Sequence, residues 1–213
     1  MRLNLSADEV LTTTRSVRKR LDFDKPVPRE VLMECLDIAL QAPTGSNAQG
    51  WQWVFVEDPA KKKALVDIYR ATGTGYLDLP KPIRGDIRDQ QMDAVVDSAK
   101  YLNQNMEKAP VMMIPLLEGR PEGADAGMQA SFWGSLLPAV WSFMLALRER
   151  GIGTAWTTLH LIGDGEKKAA DLLGIPFQHY TQGGLFPIAY TKGTDFKLAK
   201  RLPAEQLTHW DSW

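Results

Sequence analysis

The stretch MQASFWGSLLPAVWSFMLALRERGIGTAWTT, residues 128–158, contains the most apolar long segment of the chain and then a pair of glycines. Its tryptophans, Trp133 and Trp141, need a large partner surface, so residues 128–150 are predicted to form a deeply buried helix. The apolar run of residues 132–147 is too short, and too interrupted by Pro138, to span a membrane. Gly151 suits a left-handed C-cap, and a strand is predicted directly after it. This stretch therefore predicts a core helix packed against a sheet.

The flanking sequence alternates between helical and strand patterns. Ser6 and Glu9 form a capping box for a first helix, and Pro28 begins a second helix with a period near 3.6. Further helices are predicted at 58–69, 89–107 and 166–173, and strands at 51–56, 111–117, 154–157 and 185–190. Few short hairpin signals occur between them. The whole chain, 1–213, is therefore predicted to be one α+β domain, with a sheet packed by helices.

Two segments depart from this rhythm. Residues 71–105 begin with glycine, proline and charge, and we expect a lid-like excursion there, with Tyr76 and Tyr101 as aromatic walls. The alternative is a tolerated surface insertion. Residues 195–213 have little periodicity but are too apolar for a free end, so we expect a C-terminal arm that packs on a second subunit.

Composition excludes several classes of protein. The chain has 213 residues, 44% of them hydrophobic and 24% charged, with a net charge of −1. This is typical of a globular protein that binds neither nucleic acid nor a membrane. The single cysteine, Cys35, lies in an apolar helical pattern and is interpreted as a buried structural thiol. With no disulfide possible and no signal-peptide pattern at the start, a cytoplasmic location is expected.

Four short motifs contain the residue types that a cofactor site needs. Arg15-Ser16-Val17-Arg18 offers two guanidiniums and a hydroxyl to a phosphate, although a solvated helix face has the same composition. In residues 42–51, Pro43 and Gly45 let the backbone approach a flat ring, and polar groups of the loop can bond its edge; the candidates are Thr44, Ser46, Asn47 and Gln49. Residues 151–158 end on Thr157 and Thr158, whose N–H groups could face a ligand. Lys200 and Arg201 form a basic pair before Pro203.

Together the four motifs resemble the FMN-dependent nitroreductase superfamily in order and spacing, most closely its actinobacterial members: RSVR at 15–18, APTGSNAQGW at 42–51, GIGTAWTT at 151–158 and KRLP at 200–203. The resemblance implies a mixed, mainly antiparallel sheet and a homodimer whose core is the helix from Met128. It implies that Arg15, Ser16 and Arg18 bind the phosphate, ribityl chain and pyrimidine edge of FMN, and that Arg201 with Lys200 reaches the phosphate. Pro43, Thr44 and Ser46 would line the flavin of the other subunit, and the backbone at Thr157 and Thr158 would face N5 and O4.

The implied activity is oxidation of NAD(P)H and reduction of a small acceptor, such as a nitroaromatic or a quinone, by ping-pong transfer. No general acid or base and no metal ligand is assigned, because His160, His179 and His209 are scattered. Two alternatives stay open: a flavin or deazaflavin carrier or sensor without turnover, and a dehalogenase-like or flavin-fragmenting enzyme. Two positions depart from many relatives. Thr14 stands where they carry a second arginine, and Gly50 stands where they carry proline.

Overall fold

A computed structural model describes residues 2–213. Its helices are α1 (Ala7–Thr13), α2 (Arg29–Ala39), α3 (Pro59–Asp78), α4 (Asp89–Asn105), α5 (Ala126–Glu149) and α6 (Gly165–Leu173). Its strands are β1 (Leu21–Asp22), β2 (Trp51–Val56), β3 (Val111–Glu118), β4 (Ile152–Thr154), β5 (Tyr180–Gln182) and β6 (Phe186–Thr191). The order β1-β6-β3-β2 forms the sheet, with β4 paired to β6 and β5 to β3. All these pairings are antiparallel, and a single bridge between Ser16 and Thr154 is parallel. The predicted α+β fold with a mainly antiparallel sheet is confirmed.

Strand β3 divides the interior into two cores. Its side chains alternate between the faces of the sheet, as strand geometry requires. Val111, Met113 and Leu117 belong to the core under α2 and α5, whereas Met112, Ile114 and Leu116 belong to the core under α3 and α6. Burial on both faces explains why the strand reads as an unbroken apolar run.

Helix α5 is the core element that the sequence predicts, but it is longer than the apolar run. It has 24 residues and contains an 18-residue window of mean hydropathy 1.4, so by length and composition alone it could cross a bilayer. Its second half is instead packed in the first core, where Leu136, Ala139 and Phe143 are fully buried. The first six residues, from Ala126 to Ser131, are exposed. Gly151 has φ +69°, in agreement with the predicted left-handed cap.

Two local predictions are wrong, and two strands were missed. Helix α3 does not end near Tyr69 but continues to Asp78, because Leu77 is buried and Gly73 packs against Leu159. The strand expected at 154–157 lies at Ile152–Thr154, and Thr157 makes only an isolated bridge to Leu185. The short strands β1 and β5 were not predicted.

The segment before β1 lies very close to β4. Val17 is buried and its N–H donates to the carbonyl oxygen of Thr154 over 2.9 Å. A Cβ on Gly153 would lie 2.9 Å from the Val17 Cβ and 2.7 Å from a methyl of Thr191. Only glycine at position 153 therefore permits this contact.

A buried hydrogen-bond chain crosses the second core. Arg120 donates to both oxygens of Glu166 over 2.9 and 3.0 Å, and the Gln182 N–H donates to the same carboxylate over 3.0 Å. His160 Nε2 lies 3.2 Å from the Gln182 side-chain oxygen. Burial lowers the pKa of His160 to about 4, so the ring is neutral at neutral pH. His160 is thus a buried, hydrogen-bonded histidine, and Cys35 is a buried thiol whose pKa burial raises to about 11.

We expect Gly153→Ala to lower the free energy of unfolding by about 1–3 kcal/mol, because the added methyl overlaps Val17 and Thr191 in a packed region. Urea unfolding measures the change. Gly75→Ala is the matched control, since a Cβ there meets no atom within 4 Å and alanine favours the helix by about 0.5–1 kcal/mol. Equal stability of the two variants would contradict the close packing at position 153.

A second expectation concerns pH. Below its ordinary pKa of 6.5, and down to about 4, the His160 ring takes up a proton in the unfolded chain but not in the folded one. The folded state therefore loses up to about 1.4 kcal/mol per pH unit as the pH falls through this window. His160→Gln should flatten this dependence in urea unfolding, whereas His209→Gln, at an exposed ring stacked on Trp213, should not. An unchanged slope in His160→Gln would contradict a neutral buried ring.

Candidate functional site

The first and third motifs meet in the folded chain. Residues 14–20 connect α1 to β1, and their bridge to Thr154 places Arg15 and Arg18 beside the segment that follows β4. Val17 is 7% exposed, so its side chain belongs to the core. Its hydrogen bond to Thr154 holds the two arginines at the surface of the sheet.

Arg18 lines a cavity of about 390 Å³, which we call the Arg18 cavity. Burial lowers the pKa of Arg18 from its ordinary value, but an arginine remains cationic at neutral pH. Its NH1 donates to Ser98 Oγ over 3.3 Å. Burial also raises the pKa of the neighbouring Tyr69 to about 12, which keeps that phenol neutral. The floor and walls are largely apolar or aromatic: Tyr69, Tyr76, Leu77, Met92, Val95, Val96, Ala99, Leu102, Trp156 and Leu159.

Thr157 and Thr158 both line this cavity, but only one offers a free amide. The Thr157 N–H donates to the carbonyl oxygen of Leu185 over 3.1 Å, and its hydroxyl donates to the same oxygen over 2.7 Å. The expectation that both backbone groups face a ligand is therefore wrong for the Thr157 N–H. The Thr158 N–H has no acceptor within residues 2–213. Trp156 fixes this segment by donating its indole N–H to Gly183 over 2.9 Å.

Arg15 presents unsatisfied donors to an adjoining cavity. This second cavity, of about 420 Å³, shares Arg18 with the first and includes the exposed Ser16. Arg15 Nε and NH2 are buried and have no hydrogen-bond partner in the described part of the chain. Burial, and then the charges of Arg201 and Arg20, lower the Arg15 pKa from its ordinary value. Buried donors surrounded by like charges are the arrangement that an anion satisfies.

The C-terminal basic pair lies near the same cavity. The charge of Arg201 reaches Arg15, although Arg201 itself is exposed and bonds only the carbonyl oxygen of Lys200, at 3.1 Å. Lys200 is exposed and forms no ion pair with a described residue. Within the arm, only Ala204–Leu207 form a short 3₁₀ turn. Trp210 and Trp213 are 84% and 100% exposed, so this chain alone does not bury the arm.

The loop at 43–49 lies elsewhere. Its Gly45 N–H donates to Ser135 Oγ on α5 over 2.9 Å. The loop lines a cavity of about 480 Å³ with Arg120 and Met128, and no lining residue is shared with the Arg18 cavity. Three of its residues have the left-handed φ that non-glycine residues seldom adopt: Ser46 (+52°), Asn47 (+55°) and Gln49 (+49°). Strain of this kind concentrates at functional sites. One chain therefore contains two separate parts of the predicted site.

The segment at 71–105 contributes to the Arg18 cavity in a different form from the one expected. It consists of the end of α3, a loop at 79–88 and α4. Tyr76 lines the cavity, but Tyr101 is not among its lining residues, because α4 presents Val95, Ala99 and Leu102 there. Sequence reasoning missed Tyr69 and Ser98. The spacing of Ser98 from Val95 and Leu102 on one helix could have indicated it.

Comparison with known proteins identifies the family of the chain. The family model described as the nitroreductase family matches residues 11–190. An NADH dehydrogenase of Thermus thermophilus is 26% identical, over 97% of this chain and 96% of its own length. A chloronitrobenzene nitroreductase of Comamonas testosteroni is 25% identical, over 72% and 75%.

Solved structures show the same fold. An FMN- and NADPH-dependent nitroreductase from Sphigopyxis sp. strain HMH has a TM-score of 0.71 at 22% identity, covering 98% of this chain and 100% of that one. An iodotyrosine deiodinase bound to FMN and 3-iodo-L-tyrosine has a TM-score of 0.69 at 22% identity, covering 95% and 98%. Because the family model spans most of the described fold, this chain belongs to the nitroreductase family.

Proposed function

We propose that this chain is a cytoplasmic FMN-dependent oxidoreductase that oxidises NAD(P)H and reduces small acceptors such as nitroaromatics and quinones. Family membership supports an oxidoreductase, and FMN is named for two of the similar solved structures. The observation that carries the proposal is the pair of buried, unsatisfied donors of Arg15, Nε and NH2, next to a cavity with apolar walls and a free amide. A phosphate joined to a flat heteroaromatic ring fits this arrangement, because the phosphate would accept from the Arg15 donors and the ring would lie in the apolar cavity.

The residues present fit this cofactor. Arg15, Ser16 and the basic pair of the arm would hold the phosphate, because they concentrate positive charge without a neighbouring ion pair to Arg15. Arg18 would meet the pyrimidine edge of the ring, and the Thr158 N–H would donate to its central nitrogen. Thr14 supplies no charge to the phosphate, so Arg15 and Arg201 would carry more of that contact than in relatives with two successive arginines.

FMN, when bound, supplies the capacity to accept a hydride and to pass it to an acceptor. The chain supplies charge, position and exclusion of water. Arg18 would hold a positive charge beside the ring edge, which would favour the form of the flavin that carries extra negative charge. Trp156 and Tyr69 exclude water from the inner wall of the cavity. Reductant and acceptor would occupy the remaining space in turn.

The proposal includes a homodimer. The loop at 43–49 lines a cavity apart from Arg18, so if it lines the flavin, as the resemblance implies, a second subunit would bring a copy of the loop to each flavin. Large apolar side chains on the faces that would meet are exposed in one chain: Met33 and Ile38 on α2, Met128 and Trp141 on α5, and Leu198 and Leu207 in the arm. Burial of this surface would stabilise the pair.

The direct test is flavin content and turnover. The purified protein should show oxidised-flavin absorbance and oxidise NAD(P)H when a quinone or nitroaromatic is added. Arg18→Ala should bind FMN about 10- to 150-fold more weakly and lower its reduction potential, because a charged hydrogen-bonding partner contributes about 1.5–3 kcal/mol. Arg29→Ala, which removes an exposed arginine paired with Glu57, is the control. Bound flavin without turnover would indicate a carrier, and absence of flavin binding would refute the proposal.

The shared site predicts complementation. Arg18→Ala and Ser46→Glu act on opposite halves, and Ser46 is exposed with no side-chain hydrogen bond in the described chain, so its change spares the single-chain fold. A purified heterodimer of the two variants should hold about half of the wild-type flavin, since one of its two sites is intact. Each homodimer should be nearly empty. If the site lay within one chain, the heterodimer would be as empty as the homodimers.

A further inference from the structure

The Arg18 cavity has an unusual charge for a chain whose net charge is −1. Three cations line it, Arg18, Lys81 and Arg84, and no carboxylate does. Residues 71–105 include five aspartates. The charged residues that line the cavity are cations alone because these aspartates lie outside its lining.

The five aspartates are directed elsewhere. Asp78 pairs with Lys100 at 2.7 Å, Asp86 pairs with Arg88, and Asp97 pairs with Lys19. Asp89 accepts hydrogen bonds from the Arg84 and Gly85 backbone N–H groups at 3.1 and 2.7 Å. Asp93 lines only an adjoining outer cavity, which Lys81 also borders. Asp86 and Asp89 thus hold the loop at 79–88, and none of the five aspartates lines the Arg18 cavity.

Lys81 and Arg84 have no anionic partner within residues 2–213. Lys81 Nζ donates to the carbonyl oxygen of Tyr76 over 2.9 Å and lies 4.6 Å from the centre of its ring. The Arg84 guanidinium reaches only the Pro82 carbonyl oxygen, at 3.5 Å. Its charge lowers the pKa of Asp86, but hydrogen bonds from Arg88 are the larger cause, and both Asp86 oxygens are engaged by Arg88.

These observations divide the cavity into an apolar slot and a cationic rim. Met92, Val95 and Val96 on α4 and Trp156 supply the apolar lining of the slot, and the partly exposed Lys81 and the exposed Arg84 line the cavity from the loop and form its rim. Under the proposed function, Arg18 is engaged by the flavin. The other two charges then remain for a second ligand.

We propose that the physiological acceptor is an aromatic or otherwise apolar molecule bearing a carboxylate or a similar anionic group, and that Arg84 and Lys81 bind that group. This inference rests on the proposed function, since the acceptor must lie over a bound flavin. The phosphate of NADPH is also an anionic group that Arg84 and Lys81 would attract. We assign the charges to the acceptor because the apolar slot and the cationic rim line one compact cavity of about 390 Å³.

The test compares two acceptors of equal shape, 4-nitrobenzoate and 4-nitrobenzamide, with the flavin-loaded enzyme. Wild type should have the higher kcat/KM for the benzoate. In Arg84→Met the benzoate-to-benzamide ratio should fall about fivefold, because an exposed charge pair contributes up to about 1 kcal/mol. Arg84→Lys should restore most of the ratio, and the double variant with Lys81→Met should lose more. Lys61→Met, which removes an exposed charge of α3 outside the cavity, should leave the ratio unchanged.

A second measurement distinguishes binding of the acceptor's anionic group from binding of the NADPH phosphate. It compares flavin reduction by NADPH and by NADH in single turnover. If Arg84→Met slows reduction by NADPH alone and leaves the acceptor ratio unchanged, the rim binds the reductant and the inference is overturned. An equal fall for both acceptors, or a wild type without preference for the benzoate, overturns it as well. Failure of the proposed function looks different, because wild type would then lack flavin or would turn over neither acceptor.

Discussion

The contact between Val17 and Gly153 is the constraint on which the site depends. A segment without regular structure lies against β4, and a buried valine, one backbone hydrogen bond and the bare α-carbon of a glycine make that close approach possible. The bond from Val17 to Thr154 places Arg15 on one side and Arg18 on the other. The proposed cofactor site depends on that placement, because its phosphate end and its ring end each include a residue of this one segment, Arg15 and Arg18.

Two features of the proposed site are unfavourable in an isolated chain: buried donors without partners and left-handed backbone angles at non-glycine residues. A protein seldom buries guanidinium donors without partners, yet Arg15 does so beside Arg20 and Arg201. Nor does it often place three non-glycine residues at left-handed φ in one loop, as at Ser46, Asn47 and Gln49. Both features cost free energy in an isolated chain. Each lies in a motif that the resemblance assigns to FMN. Under the proposed function, the bound cofactor and a second subunit would contact these groups and offset their cost.

Much of the fold could be predicted from the sequence, because the strongest signals are physical ones. The alternation of β2, the apolar run of β3 and the length of α5 each reflect burial that the sequence records directly. The end of α3 could not be read this way. Glycine and threonine after Tyr69 favour a break, but Gly73 is needed for the approach of Leu159, so tertiary packing overrides local propensity. The strands β1 and β5 are too short for any periodicity to show.

The site was only partly predictable for a related reason. Motifs name residues but not the direction in which they point. The sequence alone does not distinguish Thr157 from Thr158 as a donor to a ligand. In the structure the Thr157 N–H donates to Leu185, and of the two only the Thr158 N–H stays free within the described residues. Tyr76 and Tyr101 look alike as aromatic walls until α4 turns Tyr101 away from the cavity. The charge of the cavity lining is the property of the site that the sequence predicts least. The segment at 71–105 carries both signs, and only the pairing of its aspartates with lysines, arginines and backbone amides outside the cavity leaves a cationic rim. Substrate charge preference is thus encoded in where carboxylates are held, which no count of residues along the chain contains.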